Sequence, residues 1–568
     1  MEHTANAPLM APPAPKPIPT PSDFPVTWGH PDEAMAFWTR DLMHFGGQIT
    51  PLEGEQLRRF MDIGFASAAR QMDLPVHFIA RRINTHYYQA LVPSTTDHDE
   101  MEAIGKRTEQ TIGAAIGHLA DAWEHEYLPE IRRYLADWEA FDLRGASLSQ
   151  LMDHLETSVA RVTRLMEMHF QIALPMLLAM SLYDELYADL FGGEDKFAAY
   201  TLLQGFPNKT VEVGHELWKL SRRAVASDTV RLVLEAEATA DVIPALQASD
   251  EGRAFLGSLQ SYLEAYGKRA NTWFILSETP WIDDPTPVIR TLKDYVGQTD
   301  HDPDAETAAL AAEREKRLAE IRAQLAGYPE QVRGQFEFFL RAAQLSTALQ
   351  EDHNFWIDYR STYELRRVVM EVGRRFAAAG ALDAQEDVLY LDYDEIKAAA
   401  ADLANRKQQA AVAEHKAEMA RFATIQPPFA LGSEPPGPPP DSPVGRAIGR
   451  FFGGPPQESP EPGTLKGNAG SKGVVRGTAK VIRSLAEAGK LRKGDILVAE
   501  TTALAWTPLF ATAAAVVTDT GGILSHCAVV AREYMIPAVV GVGMATHVIQ
   551  DGMTLEVDGT AGTVRIIG

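Results

Sequence analysis

The sequence predicts a multidomain protein: a mainly α-helical N-terminal region followed by a smaller C-terminal β/α domain. Three observations lead there. Apolar residues recur at three- and four-residue spacing over 101–138, 148–190 and 211–238 with few internal breakers, which is the pattern of amphipathic helices. Residues 427–463 hold 12 prolines and 7 glycines in 37 positions, a composition that favours a semi-extended linker over a packed core. The last hundred residues alternate short β-branched runs with turns and one helical stretch, as a compact β/α unit does.

In chain order, residues 1–24 are a Pro- and Ala-rich tail without the basic and apolar regions of a signal peptide, and are expected to be disordered. Residues 25–426 read as one helical region, continued by periodic stretches at 304–326 and 330–378. A short strand is expected at 387–391 and a helix at 392–421. Residues 427–464 form the linker, either a passive tether or a swivel. Within the last unit, 465–568, strands are expected at 473–482, 495–499, 513–518, 538–541, 554–557 and 563–567.

Composition narrows the function classes. At 568 residues with 45% hydrophobic side chains, there is ample material for two or three cores. A formal net charge of −24 argues against non-specific binding to nucleic acid or anionic membranes. Cys527 is the single cysteine, which excludes intramolecular disulfides and cysteine metal clusters. No run of about 18 uninterrupted apolar residues suggests a membrane span. The expected location is cytoplasmic.

The chemistry concentrates near the C-terminus, in Thr518-Asp519-Thr520-Gly521-Gly522-Ile523-Leu524-Ser525-His526-Cys527-Ala528. A buried strand runs into a Gly-Gly turn, and Ser525-His526 opens a helix. Glycines permit a tight turn and close backbone approach, and a helix N-terminus favours an anion. His526 is well placed to carry a phosphoryl group, since neutral imidazole is a good nucleophile near pH 7; alternatively it merely caps the helix. Thr518, Gly521, Gly522 and Ser525 are candidates to support a phosphate, whereas Arg532 could do so or brace the helix. Cys527 reads as a packing residue.

These residues, extended through Val529-Val530-Ala531-Arg532-Glu533 and flanked by Gly473-Val474-Val475-Arg476-Gly477, Lys493-Gly494-Asp495 and Trp506-Thr507-Pro508, resemble the phosphohistidine signature of the phosphoenolpyruvate-utilising enzymes. The resemblance covers roughly 465–568. It implies a swivelling phosphohistidine domain with His526 as the phosphoryl carrier. Where several dikinases have a threonine two residues earlier, this chain has Leu524, so regulation by phosphorylation there is not expected. More loosely, Trp38-Thr39-Arg40-Asp41, Arg82 to Tyr88, Tyr266-Gly267-Lys268-Arg269, Trp281 to Pro285 and Glu386 to Leu391 resemble the substrate-binding helical domain of rifampicin phosphotransferase and of phenylphosphate synthase. Lys268 and His86 depart from that pattern.

The resemblance implies a dikinase-type transfer from ATP through His526 to a hydroxyl, with AMP and phosphate as co-products. A phenolic acceptor is favoured. An antibiotic or other bulky alcohol is the rival, and a phosphocarrier or regulatory role is a third reading. No Gly-rich phosphate loop is seen, so ATP and Mg²⁺ are expected on a separate ATP-grasp-type partner subunit, with no metal site in this chain. For the acceptor site, residues 352–367 stand out. His353, Arg360 and Arg367 are seven apart and share a helical stripe, with Arg366 beside them. Arginines suit phosphoryl oxygens, although a solvated charged face would look the same. His353 or His86 could serve as general base.

Overall fold

The computed structural model describes residues 16–567, except 194, 196, 299–301, 436–442, 455, 456, 458, 460 and 503–505. The helical region is built around a 44-residue helix, Leu148–Phe191. It starts because Ser147 and Gln150 form a capping box, and it stops at Gly192, whose φ of +81° suits glycine. This helix is long and apolar enough to cross a bilayer, but 61% of its most apolar window is buried inside the protein. Its apolarity therefore serves a core, with Leu151, Leu155, Val162, Leu165 and Ile172 packed against Leu365, Val368 and Val372 of the helix Arg360–Ala378.

Two parts of this region differ from the expectation. A four-stranded antiparallel sheet, ordered β2-β3-β1-β4, comprises β1 (Phe37–Arg40), β2 (Val76–Ile83), β3 (His86–Pro93) and β4 (Ala430–Gly432). β2 and β3 are joined by Asn84-Thr85 alone, both at positive φ, a two-residue hairpin turn made without the usual glycine. The segment expected as a strand at 387–391 falls instead in a 3₁₀ turn, Gln385–Tyr390, whose Asp387 caps its own start.

The expected tail and linker are also partly ordered. Residues 1–15 lie outside the described residues, but Ile18 donates to the Gly432 carbonyl and Phe24 is fully buried. Within 427–464, β4 pairs with β1, and a strap helix forms at Pro443–Phe452. The proline count hid it, because a proline in a helix's first turn costs nothing there.

The C-terminal unit is an eight-stranded mixed sheet in the order β5-β12-β11-β7-β8-β9-β10-β6. Its strands are β5 (Thr464–Lys466), β6 (Asn468–Ser471), β7 (Val474–Val481), β8 (Ile496–Ala499), β9 (Ala515–Thr518), β10 (Ala538–Val540), β11 (Thr554–Asp558) and β12 (Thr563–Ile566). β7 to β10 run parallel. β8, β9 and β10 are buried along their whole length, which explains their continuous apolar runs. The helix His526–Glu533 follows β9 and covers this sheet.

Candidate active site

His526 is not on a solvent-facing turn. Its side chain is 13% exposed and abuts the helical region. Its Nδ1 lies 3.4 Å from Oε1 of Glu351, near the end of the helix Glu330–His353. Thr210 donates to the other oxygen of Glu351. Burial opposes charge on Glu351, but the neighbouring His526 and the hydrogen bonds outweigh it and hold its pKa below the usual range. An ionised Glu351 accepts from Nδ1–H and so fixes the tautomer. Nε2 is left as the nucleophilic atom, and it has no hydrogen-bond partner.

The loop before His526 is held by backbone. Gly522 and Leu524 donate to the carbonyls of Phe451 and Arg450 in the strap helix, at 2.8 and 3.0 Å. A Cβ on Gly522 would sit 2.1 Å from the Arg450 carbonyl oxygen, so only glycine permits this approach. Arg450 in turn reaches Asp184 and Ser181 of the long helix. The strap thus pins the histidine loop to the helical region.

This changes several expected phosphate supports. The Gly521 and Gly522 amides are taken by the strap. Thr518 is fully buried and donates to Thr520. Arg532 is buried under the Tyr200 ring and donates to the carbonyls of Gly470 and Ile523, so it braces the loop. Ser525 keeps a buried, unpartnered Oγ at the cavity wall. The Cys527 thiol is pushed up to about 12 by burial and is a packing residue.

The cavity that His526 lines has a volume of about 130 Å³ and lies between the two units. Its walls are largely apolar, with Phe65, Phe78, Phe170, Leu174, Trp273 and Phe452 among them. Into it also face His44, His169 and His353. His44 Nδ1 lies 2.6 Å from Asp41 Oδ2 and its ring 4.8 Å from that of Trp273. Burial disfavours the His44 imidazolium, but Asp41 outweighs this and holds the pKa above its ordinary value. His169 Nδ1 lies 2.9 Å from Asp358 Oδ1. His353 is pushed down to about 4 by burial and by His169, and its Nδ1 is pinned to the Leu349 carbonyl at 2.6 Å.

Of the residues singled out for the acceptor, only His353 reaches the cavity. A π-helical turn at Asn354–Tyr359 intervenes before Arg360. Its wider i→i+5 geometry breaks the seven-residue stripe. Arg360 therefore pairs with Glu139, Arg367 with Glu364, and Arg366 donates to the Leu276 carbonyl. His86 sits in β3 with its Nδ1 on the Asn84 carbonyl and its pKa lowered by burial to about 4, a poor base. His44, His169 and Glu351 were missed, and Asp41 and Asp358 were not singled out within the stretches 38–41 and 352–367 that contain them. A further local signal was the Asp41-x-x-His44 spacing at a helix start, where Asp41 also caps the His44 amide.

Comparison with known proteins agrees with this architecture. Residues 168–351 match the model of the rifampicin phosphotransferase fourth domain, and residues 491–562 that of the PEP-utilising enzyme mobile domain. The chain is 40% identical over 561 residues to the chondramide synthase cmdD of Chondromyces crocatus, covering 97% of this chain and 14% of that protein. It is 29% identical to the uncharacterized phosphotransferase YvkC of Bacillus subtilis, over 94% of this chain and 62% of YvkC. A rifampicin phosphotransferase from Streptomyces is 30% identical over 66% of this chain and 42% of its own length. The chain thus spans less than two thirds of each of these relatives. At 491–562 the chain thus carries the mobile domain of the phosphoenolpyruvate-utilising enzymes, beside a segment at 168–351 that matches the fourth domain of rifampicin phosphotransferase.

Proposed function

We propose that this protein is a dikinase-type phosphotransferase in which His526 Nε2 carries the phosphoryl group to a hydroxyl bound in the cavity between the helical and C-terminal units. The observation that carries this reading is the oriented His526, with Nδ1 on Glu351 and Nε2 unpartnered at the wall of an aromatic cavity. In the transfer step the Nε2–P bond breaks and an O–P bond forms. The imidazole keeps the electron pair, and the hydroxyl proton passes to His44, which Asp41 orients and makes more basic.

The acceptor is a single-ring phenolic compound. An apolar cavity of about 150 Å³ takes one benzene-sized molecule, and this one is close to that volume. The similarity to rifampicin phosphotransferase supports the rival reading, a bulky alcohol, which would need the cavity to open further.

ATP is the ultimate donor, giving AMP and phosphate, with Mg²⁺ at the nucleotide site of an ATP-grasp-type subunit. The relatives extend well beyond the matched span, so such a unit also has room within one longer chain.

The test is acid-labile labelling of His526 by Mg-ATP, with and without the ATP-grasp partner, followed by chase with phenols and with macrocyclic alcohols. Partner-dependent labelling that a phenol discharges, and that His526→Ala abolishes, is the expected result. Discharge only by macrocycles favours the bulky-alcohol reading. A label that no hydroxyl compound removes favours a phosphocarrier. Full activity in His526→Ala overturns the mechanism.

A further inference from the structure

Phosphoryl transfer is largely a problem of charge. The group in flight carries negative oxygens, and enzymes neutralise them with arginine, lysine or a metal ion. Among the described residues, the cavity that His526 lines contains no arginine and no lysine. The arginines of the helix Arg360–Ala378 are turned to Glu139, Glu364 and backbone carbonyls. Deepening the phosphotransferase reading, on which it rests, the next question is what supplies positive charge there.

His169 and His353 on that wall, and Asp358 buried beside them, each offer one ligand atom, and the three atoms lie within 4.8 Å of one another. His353 and His169 line the cavity, and their rings are 4.8 Å apart. The cluster has the marks of a prepared ligand set. His353 is fixed through Nδ1 by the Leu349 carbonyl, which leaves Nε2 as the free ligand atom, as an outer hydrogen bond does for metal-bound histidines. Asp358 is fully buried, and one carboxylate oxygen has no partner, a costly state for a buried charge. The π-helical turn Asn354–Tyr359 holds Asp358 close to His353, and such turns recur at functional sites.

We propose that His169, His353 and Asp358 bind one divalent transition-metal cation, which provides fixed positive charge in a cavity whose described residues include no arginine or lysine. Two imidazoles and one carboxylate suit zinc, manganese or iron(II) better than magnesium, which prefers an all-oxygen shell. Three protein ligands leave a coordination position open toward the cavity, available to the acceptor hydroxyl or a phosphoryl oxygen. Metal–ligand bonds of about 2.0–2.2 Å require the three side chains to close up, with the cation replacing the His169–Asp358 hydrogen bond. The ligand set uses neither His44 nor His526, so base, carrier and cation remain separate groups.

The experiment is a cobalt(II) titration of the metal-stripped full chain, read by its visible d–d absorption, with zinc and magnesium competition. No ATP or acceptor is present, so the result is independent of whether transfer occurs. The expected result is one equivalent bound, displaced by zinc but not by magnesium, in both the wild type and His526→Ala. Asp358→Asn and His353→Asn, checked for retained helicity, should weaken binding at least tenfold. Retention of the cobalt spectrum in both variants, displacement by magnesium, or no binding by the folded wild type would overturn the proposal. If one variant fails to fold, the other together with His169→Asn decides in the same way.

Discussion

Glu351 and His526 are 175 positions apart in the chain, yet Oε1 of one lies 3.4 Å from Nδ1 of the other. The contact joins the end of a helix in the helical region to the first residue of the helix that follows β9. It selects the tautomer of His526 and, because Glu351 is buried and also bound by Thr210, it does so with a fixed partner.

Replacement of that partner should separate the two half-reactions. In the proposed mechanism, charging of His526 takes place at the nucleotide site, away from Glu351, and discharge in this cavity. Glu351→Gln is expected to slow discharge on the order of 10²-fold, the cost of about an ångström of misplacement, and to spare charging. Single-turnover chase of the labelled protein measures both rates. Equal slowing of the two would rule out this division.

The His44–Asp41 pair gives the pH dependence a direction. Its pKa lies above the ordinary 6.5, so the pair's stabilising contribution is complete below 6.5 and is lost as pH rises through the raised value. The free base, which takes the hydroxyl proton, appears over that same interval. Discharge should therefore increase with pH, with a midpoint above 6.5. In Asp41→Asn only the charge of Asp358 still opposes burial, and the midpoint should fall. A pH–rate profile whose midpoint is unmoved by this substitution excludes His44 as the base.

Ala173 lies on the cavity wall between Phe170 and Leu174. Ala173→Trp should fill much of the 130 Å³ space and raise KM for a phenol at least tenfold, with charging of His526 unchanged. An unaltered KM would place the acceptor elsewhere.

At Gly522 the constraint is steric. Gly522→Ala drives a methyl into the Arg450 carbonyl, and overpacking of this kind costs about 1–3 kcal/mol. The strap should detach from the histidine loop, seen as faster limited proteolysis within 443–452 and a lower Tm. Unchanged proteolysis would mean that the strap does not depend on this contact.

Much of this was legible in advance. The long helices were visible because their apolar faces repeat every three to four residues, the strands β8 to β10 because buried parallel strands are continuous apolar runs, and β11 because its buried residues alternate. The β2–β3 hairpin was hidden because Asn84-Thr85 lacks the glycine that usually marks such a turn. The strap helix was hidden because composition over 37 residues averages ten helical positions with the prolines around them. The stripe joining His353 to Arg360 and Arg367 failed for a different reason: periodicity assumes one helical pitch, and the π turn at Asn354–Tyr359 changes it.

By itself, then, the sequence determined the local grammar of the protein: a Gly-Gly turn and a histidine at the start of the helix that follows it, in a run that resembles a phosphohistidine signature. Only the tertiary structure decided what surrounds that histidine. Asp41 with His44, His169, and Glu351 with Asp358 come from three separate segments of the chain, and each could be an ordinary surface residue until the core folds. Burial then removes water from all of them at once. In that setting a carboxylate must find a partner and an imidazole must choose a tautomer, and the cavity takes its chemistry from those choices.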